Sequence, residues 1–287
     1  VRPMIGVDIG GTNLLVGVIE DGKVLTRSHQ PIIAGSNFEA VVSQTCNSIV
    51  ALAGDAFSSV GISVAGSVDS KRGYVLRAQN LDWDNVPLAE AVSKKLACPV
   101  VIENDVTAAA WGEYTYGGGV GSDSIFAVWI GTGIGGGLIL NGKIWRGPLG
   151  TAGEFGMGIS EQNPSQKIRV LEEYASRSAL QRILNNPELD TEAIMQGYGS
   201  NDKITEAVNN GAQRIGTSIA NVITLLSLDK VILGGGLVEA LGEPYIEVIR
   251  QQFLADVFPA HCRQCELSIT KLGPDAGLLG AASLSTS

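Results

Sequence analysis

Cysteine is scarce. Cys46, Cys98, Cys262 and Cys265 are the only four in 287 residues, too few and too scattered for a disulfide scaffold, so reduced thiols are expected. Basic residues are scarce as well: 20 Lys and Arg against 29 Asp and Glu leave a formal charge of −9. That balance argues against a nucleic-acid partner, which needs clustered Lys and Arg. It leaves room for a small anionic substrate, since backbone amides and a metal ion bind phosphate locally. No run of 18 or more apolar residues escapes interruption by glycine, so no membrane span is expected. The chain passes almost directly into "MIGVDIG" without a basic region and cleavage site, which makes a cytoplasmic protein the expectation. There is no G-x-x-x-x-G-K-[ST], and so no P-loop.

What is present fits a globular chain large enough for two domains or one large one, with 45% hydrophobic and 17% charged residues. Glycine is abundant, at 37 residues, and it gathers at 10–11, 117–121, 131–137, 147–158 and 234–236, mostly after strand-like runs. That placement suggests turns that approach a ligand closely.

One cluster, Gly131-Thr132-Gly133-Ile134-Gly135-Gly136, fits the dinucleotide pattern G-x-G-x-x-G. The pattern signifies an NAD site only between a strand and a helix. Here it runs into Leu138-Ile139-Leu140, Asn141-Gly142 and Lys143-Ile144-Trp145, apolar residues on both sides of an Asn-Gly pair. That is a β-hairpin signature. An NAD oxidoreductase is therefore set aside. Shifting the opening segment by 120 residues lays Gly11-Thr12 on Gly131-Thr132, Gly17 on Gly137 and Gly22-Lys23 on Gly142-Lys143. Two hairpins of the same design imply two related lobes, the alternative being that turn chemistry alone restricts residue choice.

Elsewhere strand and helix patterns alternate, as in an α/β protein. Helical spacing is expected over 41–53, from Pro87 through Leu96, over 201–227 and over 243–258; strands are expected over 59–69, 98–105 and 230–236. Four glycine or acidic clusters end strands, which points to one shared cleft. Asp8 precedes Gly10-Gly11-Thr12 and is placed either to satisfy turn amides or to hold Mg²⁺ on a phosphate. Glu103-Asn104-Asp105 closes a strand and is either a helix cap or a reactive group. Gly153-Glu154 and Asn80, with Trp83 near by, add the polar partners that a polyhydroxylated ligand demands.

"VDIGGTN", "NLDW", "IENDVTAAAWGE", "IGTGIGGGLILNGKIWRGPLGTAGEFG" and "VILGGGLV" occur in an order that resembles the ROK (repressor, open reading frame, kinase) sugar kinases, from residue 4 to about 281. The resemblance implies an α/β, two-lobed ribonuclease H-like (actin-like ATPase) fold, with duplicated βββαβα lobes and a cleft between. It implies a smaller N-terminal lobe over 1–103, completed by a C-terminal helix at about 275–287, and a larger lobe over 104–274. The implied activity is ATP-dependent phosphorylation of a hexose at its 6-hydroxyl, glucose first, with N-acetylglucosamine, N-acetylmannosamine or fructose as alternatives. A sugar-binding regulatory protein with weak turnover is the alternative of another class.

By the same resemblance Asp105 is the general base, and Asp8 helps to place Mg²⁺. Gly10, Gly11, Thr12, Thr132 and Gly133 cradle phosphates, and Gly234, Gly235 and Gly236 lie beside the adenosine. Gly66, Asn80, Asn104, Asp105, Glu154 and Glu172 hold sugar hydroxyls. ATP and Mg²⁺ are the implied cofactors, a hexose the substrate, and a homodimer the assembly; polyphosphate is an alternative donor.

The sequence departs from the family at "GEFGMGISEQNPSQKIRVLEEYAS". Met157 stands where a sugar-contacting, zinc-binding histidine is expected, and the zinc-binding cysteines are missing. Methionine replaces neither role, so no structural zinc is expected. "HCRQC" (261–265) carries one C-x-x-C and one histidine, an incomplete ligand set, so its cysteines are expected to be ordinary surface or strand-edge residues.

Overall fold

The computed structural model describes residues 2–33, 35, 37–54, 56–161 and 169–285. It resolves into two compact units, one made of 1–120, 144–152 and 274–287, the other of 121–143 and 153–273.

The first unit opens with three antiparallel strands, β1 (Met4–Ile9), β2 (Asn13–Glu20) and β3 (Lys23–Pro31). Helix α1 (Phe38–Ala53) then returns the chain to β4 (Val60–Val64), which runs parallel to β1. A small antiparallel sheet of β5 (Ser67–Asp69), β6 (Tyr74–Ala78) and β7 (Trp83–Val86) follows, then α2 (Leu88–Leu96). Strand β8 (Val100–Asn104) joins β4 in parallel, completing a sheet of order β3-β2-β1-β4-β8, and leads into α3 (Asp105–Tyr116). The central strands β1 and β4 are largely buried and apolar because both faces are covered, and each carries one polar residue, Asp8 and Ser63.

The second unit repeats the plan. β9 (Ile125–Ile130) and β10 (Ile134–Leu140) pair antiparallel, with the short β11 (Lys143–Ile144) at the edge. The hairpin β12 (Ile159–Glu161) and β13 (Arg169–Val170) is followed by α4 (Glu172–Ala175), α5 (Arg177–Ile183), α6 (Thr191–Gly197) and the long α7 (Asp202–Leu226). Strand β14 (Lys230–Gly234) runs parallel to β9, α8 spans Gly236–Asp256, and β15 (Glu266–Ile269) closes the order β11-β10-β9-β14-β15. The last helix, α9 (Ala276–Leu284), belongs to the first unit.

The repeat read from sequence is present in the backbone. Asp21-Gly22 and Asn141-Gly142 both turn with positive φ at both residues (49° and 71°, then 50° and 71°), the conformation a tight two-residue hairpin requires. At the other end of each hairpin the copies differ. Residues 10–13 separate Ile9 from its partner Leu14, whereas only 131–133 separate Ile130 from Ile134. The overlay at 120 therefore slips by one along the first strand, and Trp129 occupies the register position of Asp8.

Glycine makes room for α9 in the first unit. A Cβ on Gly61 would lie 1.7 Å from the carbonyl oxygen of Ala281, and one on Gly280 would lie 1.8 Å from that of Ala108. Backbone thus meets backbone on both sides of α9, against β4 and against α3. Because α3 packs so closely, the first unit continues to Val120, past residue 103, where the sequence reading placed the lobe boundary. Helix α8 begins earlier than the expected 243–258 and bends at Gly242 (φ 61°), one residue before Glu243-Pro244. Among the described residues no helix is long and apolar enough to cross a membrane.

Candidate active site

Asp8 lies near the end of β1, and its neighbour across the parallel ladder is Ser63 of β4. The Ser63 hydroxyl donates to Asp8 Oδ1 at 2.7 Å. Burial pushes the Asp8 carboxyl above its ordinary range, and that hydrogen bond offsets part of the rise. Ile9 leads into Gly10-Gly11-Thr12, where the Gly10 N–H closes on the Asn13 carbonyl at 2.9 Å. Asn80 covers this turn: a Cβ on Gly11 would meet Asn80 Cβ at 2.7 Å.

Asp105 is the first residue of α3, and Asn104 is its N-cap. Asn104 Oδ1 accepts from the Thr107 N–H at 3.0 Å, satisfying one of the orphan donors of the helix start. Both amide hydrogens of Asn104 are also used, one on the Gly66 carbonyl at 3.0 Å and one on Asp105 Oδ1 at 2.8 Å. The side chain is thus a scaffold that fixes Gly66 and Asp105, with one lone pair left for a ligand. Burial, then the nearby Asp8 charge, push the Asp105 carboxyl up to about 7. A carboxyl of that kind is half-ionised near neutral pH, as a general base should be.

Glu103, 3% exposed, supports this pair from beneath. Its Oε1 accepts from Ser70 Oγ and from the Asn104 N–H, both at 2.9 Å. Its Oε2 takes Arg146 Nε at 2.8 Å and Arg146 Nη2 as well. Arg146 comes from the "RGPLGTAGE" segment, 43 residues away in sequence, so nothing in the local pattern could have paired the two.

In the second unit the turn Gly131-Thr132-Gly133 joins β9 to β10, with the Gly131 N–H on the Gly133 carbonyl at 2.9 Å. Glu172, the first residue of α4, places Oε2 on the Ile134 N–H at 2.7 Å, so it braces this turn. Arg177 Nη2 donates to Thr132 Oγ1 at 2.7 Å. Glu154 is exposed and follows Gly153, whose carbonyl takes the Gly136 N–H at 2.8 Å and ties that loop to β10. Met157, 49% exposed, lies in the 3-10 turn that comes next.

The three glycines after β14 have different reasons to be glycine. A Cβ on Gly234 would strike the Trp129 ring at 2.7 Å, and one on Gly235 (φ 92°) would meet the Ile130 carbonyl at 2.6 Å. Gly236 has nothing within 4 Å of that position, so packing alone does not demand it.

Two expectations are corrected. Trp83 does not line a sugar site: it is 2% exposed and packs edge-on against Phe38, with ring centroids 5.3 Å apart. Cys262 and Cys265 are not surface residues, being 9% and 8% exposed and part of the second unit's core. Among the described residues no group of three or more His, Cys, Asp or Glu is arranged to hold a metal ion. Residues 162–168, the middle of the segment that argued against zinc, lie outside the described residues. Tyr174, on the C-terminal side of them, gathers contacts from both flanks. Arg169 and Arg214 stand over it at 4.2 and 3.8 Å, and its hydroxyl donates to Glu161 Oε2 at 2.6 Å.

Two α/β units of one plan, each turning on a Gly-Thr pair at the end of its first strand, define a duplicated fold. The chain belongs to the ROK family, whose model matches residues 4–287. It is 34% identical to a glucokinase of Streptomyces coelicolor, over 98% of this chain and 96% of that one. It is 27% identical to the N-acetylmannosamine kinase of Haemophilus influenzae, over 97% and 93%. Among solved structures, the ROK family glucokinase of Streptomyces griseus in complex with glucose and AMPPNP superposes with a TM-score of 0.84 at 33% identity, covering 98% of each chain. The two-lobed actin-like fold implied by the sequence motifs is therefore the fold of this chain.

Proposed function

We propose that this protein is an ATP-dependent hexokinase that phosphorylates the 6-hydroxyl of a hexose, glucose foremost. The observation that carries the reading is Asp105, a carboxyl raised to about 7 at the start of α3 and held by Asn104 through Oδ1. Asp105 accepts the 6-hydroxyl proton as that oxygen bonds to the γ-phosphorus and the bond to the ADP oxygen breaks. Phosphoryl transfer asks little more of a protein than positioning and charge stabilisation.

The other assignments belong to the same reading. Gly66, Asn80, Asn104, Glu154 and Glu172 serve the sugar; Gly10, Gly11, Thr12, Thr132 and Gly133 serve the phosphates; Gly234, Gly235 and Gly236 serve the adenosine. Mg²⁺ neutralises the charge of the donor phosphates when bound. Asp8 fits it: Ser63 takes only Oδ1, which leaves Oδ2 for the ion or one of its waters. Magnesium keeps several waters and needs one or two carboxylates beside the phosphates, so a dedicated cage is not required. A homodimer and a cytoplasmic location complete the reading.

The relatives support it: a protein 33% identical carries glucose and AMPPNP, and one 34% identical is a glucokinase. N-Acetylmannosamine is the second sugar to consider, because a kinase for it is 27% identical and because Met157 changes a position beside Glu154. A coupled ADP-release assay with Mg·ATP decides, using glucose, mannose, fructose, N-acetylglucosamine, N-acetylmannosamine and allose. Turnover that is highest on glucose and abolished in Asp105→Asn is the expected result. Silence on all six sugars, in protein that binds ATP, would overturn the reading in favour of a regulatory one.

A further inference from the structure

We infer that Arg177 is a second recognition group for the phosphate donor, acting through its charge beside the Gly131-Thr132-Gly133 turn. The inference rests on the donor reading of that turn. Three observations within the second unit point to it.

The first is how the turn is held. Arg177 N–H donates to the Gly131 carbonyl at 2.9 Å, and Ser178 Oγ donates to the Thr132 carbonyl at 2.8 Å. The carbonyls thus point at the α5 segment. The Gly131 N–H is spent on Gly133 and the Ile134 N–H on Glu172. The N–H groups of Thr132 and Gly133 have no protein acceptor among the described residues, and two such donors in one glycine turn are available to an anion.

The second is the state of the guanidinium. Arg177 Nη2 rests on Thr132 Oγ1, whereas Nε is buried with no partner. Among the described residues no carboxylate pairs with Arg177, although the chain carries 29 acidic residues. A guanidinium held against a neutral hydroxyl, with no carboxylate partner, keeps its full charge and its remaining N–H donors for an anion.

The third is the charge already at the turn. Glu172 Oε2 lies 2.5 Å from where a Cβ of Gly133 would sit, so a carboxylate faces the same three residues. Backbone dipoles alone would bring a phosphate up against that negative charge. Arg177 offsets it, which leaves the unspent N–H donors of the turn to face a phosphate chain without that repulsion. The bland alternative is a strut: Arg177 only orients Thr132, and its charge is idle.

Substitution separates these. Arg177→Gln keeps a donor for Thr132 Oγ1 and loses the charge; Arg177→Ala loses both; Arg177→Lys keeps a charge. Calorimetric Kd values for Mg·AMPPNP and for tripolyphosphate are measured on each full-length variant, with the Kd for glucose as control and the melting temperature as a check on folding. The expected result is weakening by roughly 10- to 100-fold in both Gln and Ala variants, the worth of a hydrogen bond to a charged group. Lys should recover part of it, and glucose binding should stay within about threefold. Wild-type affinity in the Gln variant, whatever Ala does, would overturn the inference and leave a strut. A wild-type protein that binds neither AMPPNP nor tripolyphosphate would overturn it together with the donor reading. Donor binding that depends on Arg177, in a protein that turns over none of the sugars, would sustain the inference and overturn only the hexokinase reading.

Discussion

Asn104 Nδ2 donates to Asp105 Oδ1 at 2.8 Å while Asn104 Oδ1 caps α3 through the Thr107 N–H, so one side chain both starts the helix and aims the carboxylate on its first residue. The folding signal and the chemical group are adjacent letters. This explains why "IEND" reads equally well as a cap and as a reactive site: Asn104 is the cap, and the raised carboxyl of Asp105 is the proposed base.

If Asp105 is the base, Asp105→Asn should keep sugar binding and lose turnover. The amide accepts no proton, yet it has nearly the shape of the acid. Turnover should fall by roughly 10²–10⁴, the range a general base supplies, while the Kd for glucose measured by calorimetry moves by less than about threefold. A variant retaining a tenth or more of wild-type activity would remove Asp105 from that role.

The same carboxyl predicts a pH dependence. Its native value is raised to about 7 from an ordinary value of 3.8, so it is protonated and idle on the acid side. Below about 7, kcat/KM should fall about tenfold per pH unit, and Asp105→Asn should show no such slope. Stability runs the other way. The native state holds this proton more tightly than the unfolded chain does, so its stabilising share is present at low pH and lost as pH rises through about 7. The melting temperature of Asp105→Asn relative to wild type should therefore climb between pH 5 and pH 8.

Gly236 offers a clean test of the adenosine assignment, because its open surroundings separate function from packing. Gly236→Ala should leave the melting temperature within about 2 °C of wild type, since no atom must move and Ala favours the helix that starts there. KM for ATP should rise several-fold if the adenosine lies against it, with KM for glucose unchanged. Gly235→Ala should instead destabilise the fold, as its Cβ would strike the Ile130 carbonyl in a left-handed backbone.

Much of this was legible in the letters, for reasons that differ by residue. Asn141-Gly142 announced its hairpin because only a few residues accept positive φ twice in succession. The duplication was visible through the same turn chemistry, although a one-residue difference in the Gly-Thr turns makes Trp129, not Val128, the register partner of Asp8. Trp83 misled because an aromatic beside an asparagine looks like a sugar platform, whereas β7 turns the ring inward against Phe38. Arg146, Ser63 and Arg177 carried no local signal. Each acts on a partner 43–55 residues distant, and such pairing is set by sheet order, which spacing along the chain does not encode.

Tyr174 predicts how the segment around Met157 is held. Arg169 and Arg214 cover its ring and Arg214 also reaches Glu161 at 3.0 Å, so β12, β13, α4 and α7 meet on one side chain. Such contacts contribute about 0.5–2 kcal/mol each and need no metal. A strong chelator should leave the melting temperature unchanged, while Tyr174→Leu should lower it by several degrees. Stoichiometric zinc in the purified protein, lost together with stability on chelation, would show that the segment is held differently.

The pair Glu103–Arg146 should show the behaviour of a buried charge with one counterion. Glu103 has only 5% of its side chain exposed, and Arg146 has 35%. Arg146→Met leaves the carboxylate buried without its cation, a change that costs roughly 3–5 kcal/mol in fully buried pairs and less here because Arg146 is partly solvated. Glu103→Gln in the Arg146→Met background removes the stranded charge while the amide can still accept from Ser70 and Asn104. The double variant should therefore melt above Arg146→Met alone, in a double-mutant cycle that does not add. Catalysis should separate from stability in the same set. Glu103 holds the Asn104 N–H, and Asn104 aims Asp105, so kcat should fall in Arg146→Met even at temperatures where that variant is fully folded. A variant with wild-type kcat would mean that the pair stabilises the first unit without orienting its carboxylate.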